Sequence, residues 1–291
     1  MADLPPSSAP DGPPVALVTG ASSGIGREVA RLLAQRGYAT VLIARRVDRL
    51  NELARELSHH APSTPLGIDL SEPGALKLGI EIVASRHPRI DVLVNNAGFG
   101  DYRALLDQPL EAHRRLYEVN YFAAVALTRA LLPGMIERRR GHVINIASMS
   151  TKFGPWGHGA YAGAKAALIA LTQSLACEYA SAGVHFSYVN PGVVRTEFFN
   201  GAEYRPLDGQ IARHGISAQR VARSIVRLLD RPRLELCVPW YYRAVDWFRL
   251  VSPGLTLCLV RRHSVPPARA PGINRAAEPA EPGASTPARQ T

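Results

Sequence analysis

Apolar strand-like runs alternate with helical patterns over most of the chain, which predicts a doubly wound α/β fold: a parallel sheet with helices on both faces. Two further observations agree. The strand-like runs are apolar on both faces, as buried parallel strands are, and a glycine-rich turn joins the first run directly to a helix. Residues 15–19 (VALVT) read as the first strand and 26–36 as a helix closed by Gly37. Strand 39–44 and helix 47–58 come next, then a short strand at 65–68 and a helix near 74–86. A fourth strand at 90–94 precedes one or two helices over 110–138. Strand 142–146, a long helix at 160–180, strand 184–189, helix 217–229 and a strand at 234–238 complete the series. No repeat or linker interrupts it, so residues 15–238 are expected to form a single domain of about seven strands.

Composition sets the outer limits. With 291 residues, 46% hydrophobic and 20% charged, the chain can bury a sizeable core. No apolar run approaches the roughly 20 residues that cross a bilayer, so no transmembrane span is expected. Residues 1–14 carry Asp3 and Asp11 with no basic start, which does not read as a secretory signal. That segment and residues 264–291 are rich in Pro, Ala and Ser and are expected to be flexible tails. The three cysteines (Cys177, Cys237, Cys258) are odd in number and far apart, which argues against a disulfide framework or a metal site and for a reducing compartment. A net charge of +10 suits a polyanionic ligand or an arginine-rich solvated surface. No nucleic-acid motif accompanies it, and no nucleic-acid partner is expected.

After the first strand comes Thr19-Gly20-Ala21-Ser22-Ser23-Gly24-Ile25-Gly26. Glycines let such a turn close tightly and let its backbone approach a pyrophosphate, which then rests on the positive end of the helix. At the end of the second strand an acid would accept hydrogen bonds from a ribose 2′-hydroxyl and repel a 2′-phosphate. Ala44 stands there, followed by Arg45 and Arg46. A guanidinium binds phosphate through paired hydrogen bonds. Arg45, aided by Arg46 and Ser22, therefore favours NADP(H) over NAD(H). Tyr161 and Lys165 are spaced i, i+4 on one face of a helix, where an ammonium can stabilise a phenolate and bring tyrosine within reach of acid–base work.

The spacing T-G-x-x-x-G-x-G, followed in order by Asn95-Asn96-Ala97-Gly98, Tyr161-x-x-x-Lys165 and Pro191-Gly192-Val193-Val194-Arg195-Thr196, resembles the classical branch of the short-chain dehydrogenase/reductase family over about residues 15–236. The resemblance implies a Rossmann fold and hydride transfer between a nicotinamide and a carbonyl or secondary alcohol. It implies that Gly20, Ser22, Ser23, Gly24, Ile25 and Gly26 cradle the phosphates, and that Asp69 and Leu70 contact adenine. Asn96, Ala97 and Gly98 would pass close to the ribose, and Pro191, Gly192, Val194 and Thr196 would anchor the carboxamide. By the same resemblance Asn120, Ser148, Tyr161 and Lys165 form a catalytic tetrad: Ser148 polarises the carbonyl, Tyr161 is the general acid or base, Lys165 lowers its pKa, and Asn120 supports a proton relay. A homodimer or homotetramer built on the helices over 116–132 and 160–180 is also implied.

Residues 198–216 take the place of a substrate lid, with Phe198, Phe199, Tyr204 and Ile211 as apolar lining. His158 reads as a loop or substrate-wall residue and Cys177 as a packed thiol. In the extension over 239–263, Trp240, Ala244, Trp247, Phe248 and Val251 share a helical face opposite Arg243, Asp246 and Arg249. Pro253-Gly254 is expected to break this helix before residues 255–260 and Arg261-Arg262. The extension is too short to span a bilayer. It binds a membrane surface through residues 240–262, covers the site or closes a dimer. The expected protein is a cytoplasmic NADP(H)-dependent oxidoreductase of a lipophilic carbonyl or alcohol (fatty acyl, keto-lipid or steroid-like), peripheral at the inner face of a membrane if lipid is the partner. The alternative is a catalytically silent NADP-binding regulatory or scaffold protein.

Overall fold

The structure is a computed structural model and describes residues 12–264; of the expected tails over 1–14 and 264–291, residues 1–11 and 265–291 lie outside the described residues, and Ser264 belongs to the last helix. The first half runs β1 (Val15–Thr19), α1 (Gly24–Gln35), β2 (Ala39–Ala44), α2 (Val47–Leu57), β3 (Ser63–Gly67), α3 (Pro73–Arg86), β4 (Val92–Asn95), α4 (Leu110–Tyr117) and α5 (Ala123–Glu137). The second half runs β5 (Gly141–Ile146), α6 (Ser150–Phe153), α7 (Gly159–Glu178), β6 (Val184–Pro191), β7 (Val194–Arg195), α8 (Asp208–His214), β8 (Ile216–Ser217), α9 (Ala218–Val226), β9 (Glu235–Val238), α10 (Tyr242–Val251) and α11 (Pro253–Ser264).

Seven parallel strands form one sheet in the order β3-β2-β1-β4-β5-β6-β9, and β7 and β8 pair separately. The order reverses between β1 and β4, which pair in parallel with Val18 opposite Val94. In open sheets of this kind a ligand crevice opens beyond the strand ends at that point. Alternate residues of β1 feed two cores. Ala16 and Val18 join Val29, Ala30 and Leu33 of α1 and Val221, Ala222 and Ile225 of α9. Leu17 joins Leu127 and Met135 of α5 and Leu175 of α7 on the other face.

One sequence expectation changes. The 28-residue stretch Leu110–Glu137 is long and apolar enough to cross a membrane, which a search for an unbroken apolar run overlooks. In the fold it buries Leu127, Leu132 and Met135 in the core beneath the sheet and leaves Leu110 65% and Phe122 49% exposed. The expected break at Pro253-Gly254 is present: α10 ends at Val251 and Pro253 opens α11, where its missing N–H costs nothing.

The C-terminal hairpin of α10 and α11 is amphipathic in an inverted sense. Its polar edge faces the domain: Asp246 pairs with Lys152 of α6 at 2.9 Å, and Lys152 also lies 3.4 Å from Glu235 of β9. Its apolar side faces out, with Trp240 75%, Trp247 67% and Val251 82% exposed. The hairpin's outer surface adds Leu250, Leu255, Leu257 and Leu259 beside exposed Arg243, Arg261 and Arg262.

Candidate active site

A cleft of about 840 Å³ opens over the carboxyl ends of the central strands. Its phosphate end is the turn after β1. Gly20 and Gly24 have φ of +67° and +55°, a backbone region that side chains disfavour. A Cβ on Gly26 would lie 2.4 Å from the Gly20 carbonyl oxygen, so only glycine allows this closure. Ser22, Ser23 and Ile25 line the cleft beside it, while Gly26 lies beneath.

The Asn-rich turn after β4 locks onto the same loop. Thr19 Oγ1 accepts from the backbone N–H groups of Asn96 (3.0 Å) and Ala97 (2.9 Å), and Asn96 Nδ2 donates to the Thr19 carbonyl at 2.9 Å. Behind it, Asn95 donates to Asn145 Oδ1 at 2.8 Å and so ties β4 to β5. A Cβ on Gly98 would fall 2.5 Å from Asn120 Oδ1 and 3.2 Å from Lys165 Nζ, so this glycine keeps the floor of the site open.

Asn120 is aimed by a π-helical turn at Glu118–Phe122, between α4 and α5. Such turns re-aim side chains that a regular helix would hide. Its Nδ2 donates to the carbonyls of Phe99 (3.0 Å) and Leu116 (2.9 Å), whereas its buried Oδ1 has no protein partner. Lys165 is buried on α7 and donates to the Ile146 carbonyl at 2.8 Å. Burial pulls its amine down to about 7. Tyr161, one turn earlier, has its phenol pushed up to about 12 by burial, with a hydrogen bond from Ser148 pulling the other way.

Lys165 Nζ stands 5.9 Å from the Tyr161 ring centre and spends one donor on the Ile146 carbonyl. Ser148, at the end of β5, also accepts from the Ser150 amide at 3.1 Å. Ser148, Tyr161 and Lys165 therefore line one end of the cleft, while Asn120 lies behind it, next to Lys165 at Gly98 and lining a separate small cavity.

The far segments complete the cleft. Pro191, Gly192, Val194 and Thr196 line it after β6, and Thr196 packs its methyl 3.1 Å from where a Cβ on Gly24 would sit. Asp69 accepts from the Ser71 amide (2.9 Å) and hydroxyl (2.7 Å). Burial alone would raise its pKa, but those bonds and the charges of Arg45 and Arg115 hold it below the usual carboxylate value. Leu70 is buried beside it.

Against known proteins, the model of the family described as short chain dehydrogenase matches residues 14–205. The chain is 34% identical over 257 residues to dehydrogenase/reductase SDR family member 7B of Bos taurus, covering 83% of this chain and 78% of that protein. The chain belongs to the short-chain dehydrogenase family. Among solved structures it is similar to a short-chain dehydrogenase from Sphingobium yanoikuyae in complex with NADPH (TM-score 0.72, 28% identity, 88% of this chain and 98% of that one). It is also similar to the bulky-bulky ketone specific alcohol dehydrogenase from Comamonas testosteroni (TM-score 0.71, 26% identity, 88% and 96% covered). As a short-chain dehydrogenase it is an oxidoreductase acting between CH–OH and C=O groups.

Within this short-chain dehydrogenase the arginines divide their work. Arg45 is largely exposed, 3.9 Å from Asp69. Arg46 reaches back to Ser22 (3.1 Å) and Ser23 (2.7 Å). Arg49 was not among the sequence candidates, although it lies one turn beyond Arg46 on the same side of α2; it joins Arg46 on Glu197. In the lid, Phe198, Phe199 and Ile211 line the cleft, whereas Tyr204 is buried behind it, stacked on Tyr102 at 5.8 Å. His158 is a wall residue whose pKa burial lowers. Cys177 is exposed rather than packed, because it sits two residues past buried Leu175 and so turns away from the core stripe of α7. Tyr242, Val260 and Ser264 of the C-terminal hairpin also reach the cleft, and Ser264 accepts from Tyr102 Oη at 2.7 Å through its carbonyl.

Proposed function

We propose that the protein is an NADP(H)-dependent oxidoreductase that interconverts a lipophilic carbonyl compound and its secondary alcohol. The carrying observation is that Ser148, Tyr161 and Lys165 meet at one end of a cleft that begins at a glycine phosphate cradle, with Asn120 beside Lys165 at Gly98. The cradle, the free path past Gly98 and the absence of an acid at Ala44 fit NADP(H), held by residues 20–26, Arg45, Arg46, Asp69, Leu70 and the Asn96–Gly98 turn, with Pro191, Gly192, Val194 and Thr196 at the nicotinamide end. When bound, that cofactor supplies or accepts the hydride.

The protein's own groups handle the proton. Ser148 donates a hydrogen bond to the substrate oxygen and stabilises the charge that develops there. Tyr161 gives its phenolic proton to that oxygen in reduction and takes it back in oxidation. The buried phenol is protonated at neutral pH and so holds the proton that reduction requires. Lys165, near 7, exchanges protons readily at that pH and restores the tyrosine's. The unpartnered Oδ1 of Asn120 receives the far end of this relay.

The walls support a lipophilic substrate: Met149, Phe153, Phe198, Phe199, Ile211 and Val260 line the cleft, alongside polar Tyr102, His158 and Ser264. The related alcohol dehydrogenase specific for bulky-bulky ketones agrees with such a site. The outer face of α10–α11 is the part that docks on an anionic lipid surface: apolar side chains point out, arginines flank them, and the one acid of α10, Asp246, is turned inward on Lys152. The protein acts as a peripheral enzyme at the cytoplasmic face, and self-association uses α4–α5 and α7.

Fluorescence titration with NADPH and NADH, followed by a carbonyl panel graded by chain length and ring size, tests the reading. Tighter NADPH binding with kcat/KM rising along the lipophilic series supports it. Tight binding with no turnover on any carbonyl would turn the reading toward a regulatory nucleotide-binding protein.

A further inference from the structure

The residue after Thr196 is an acid in a part of the cleft otherwise built for anions. Glu197 reaches across from the start of the lid to α2, where Arg49 Nη1 donates to its two oxygens at 2.6 and 2.7 Å and Arg46 Nη1 donates at 2.6 Å. The same Arg46 side chain also donates to Ser22 and Ser23 of the phosphate turn. One carboxylate therefore holds the guanidinium groups that the second strand delivers to the cofactor end. Its pKa is lowered by its hydrogen bonds to Arg46 and then Arg49, so it stays ionised at neutral pH. The next residue, Phe198, has its ring 5.5 Å from that of Tyr161 and packs against Gly100. Glu197 thus connects the two ends of the cleft.

We propose that Glu197 is a specificity-determining latch: it is the anion that Arg46 and Arg49 hold, and the 2′-phosphate of NADP(H) takes its place on them. The two anions compete for the same donors, and a phosphate with three oxygens and higher charge wins them. Displaced, Glu197 lets go of the start of the lid beside Phe198. NAD(H) carries no 2′-phosphate and leaves the latch closed. Cofactor choice and access to Tyr161 are then linked by one ion-pair exchange, in which Arg49 is a third phosphate-binding arginine beyond the strand-end pair Arg45 and Arg46. The inference rests on NADP(H) being the cofactor.

The test compares wild type, Glu197→Gln and Arg49→Gln by titration with NADPH, NADH, 2′-AMP and 5′-AMP, the last two reporting on the adenosine end alone. Glu197→Gln, nearly isosteric and at an exposed position, is expected to tighten NADPH and 2′-AMP by about 3- to 10-fold and to move NADH and 5′-AMP by less than about 2-fold. Arg49→Gln is expected to weaken NADPH and 2′-AMP by about 5- to 20-fold. Amide hydrogen exchange over residues 198–201 should rise with NADPH and not with NADH in the wild type, and be fast with either in Glu197→Gln. Weaker NADPH binding in Glu197→Gln, or equal shifts for phosphorylated and unphosphorylated ligands, would overturn the latch. A wild type that prefers NADH would instead bring down the cofactor reading, while selective tightening of 2′-AMP by Glu197→Gln would still uphold the latch.

Discussion

The floor and the outer roof of the cleft depart from the usual rule of polar out and apolar in, and they do so in opposite directions. On the floor and just behind it, Lys165 and Asn120 are 3% and 1% exposed, ionisable or polar groups held in the core. On the roof, Trp240, Trp247 and Val251 stand in the open while Asp246 faces the protein. A buried amine costs stability and is worth keeping only for chemistry. An exposed apolar sheet of this extent is worth keeping only for a partner. On the proposed reading chemistry and docking are separable, and each can be broken without the other.

The largest effect is expected on the floor. Ser148→Ala should lower kcat about 10²- to 10³-fold on every carbonyl, as loss of a donor to a developing oxyanion does, while NADPH binding and vesicle binding stay within about 2-fold. The roof should give the reverse pattern. Trp247→Ser with Val251→Ser removes two side chains each worth roughly 1.5–3 kcal/mol of apolar burial. Sedimentation with anionic vesicles should show at least a 10-fold weaker association, with unchanged kcat on a short water-soluble ketone. If vesicles bind both forms alike, the exposed face serves a second copy of the chain or another protein.

A smaller effect sharpens what the floor costs. The Lys165 amine titrates near 7 in the native protein and near 10.5 when unfolded. Between those values the unfolded chain holds a proton that the native state lacks, so stability rises with pH, by at most about 1.4 kcal/mol per unit. Between pH 7.5 and 8.5, urea unfolding of wild type should show this rise and Lys165→Met should not. Cys237, pushed up by burial to about 11, works in the opposite direction as its unfolded thiol begins to ionise, and the comparison with Lys165→Met isolates the lysine from it.

The same contrast separates what the sequence reveals from what it hides. Strands and cradle were legible because period, glycine spacing and apolar runs are local constraints, and Tyr161 and Lys165 because i, i+4 spacing fixes a shared face. The aim of Asn120 was not: a π turn has no composition signature. Helices α9 and α10 show the limit of periodicity. Both are amphipathic, yet α9 buries Val221, Ala222 and Ile225 against α1 whereas α10 buries none of its residues. Periodicity says that a face exists, and the partner that takes it is set by the tertiary fold. Arg49 lay in reach of the same helical argument, one turn from Arg46. Nothing in the local sequence of Glu197, Tyr242 or Ser264 placed them at the cleft, because long-range packing brings them there.

The central claim is that Tyr161 is the proton donor of a carbonyl reductase. The most direct measurement is single-turnover oxidation of bound NADPH by a lipophilic ketone, for wild type and Tyr161→Phe, with NADPH affinity measured on both. The account predicts a loss of at least about 10³-fold in the hydride-transfer rate with NADPH affinity within about 2-fold. Turnover by the Tyr161→Phe variant within about 10-fold of wild type would contradict it.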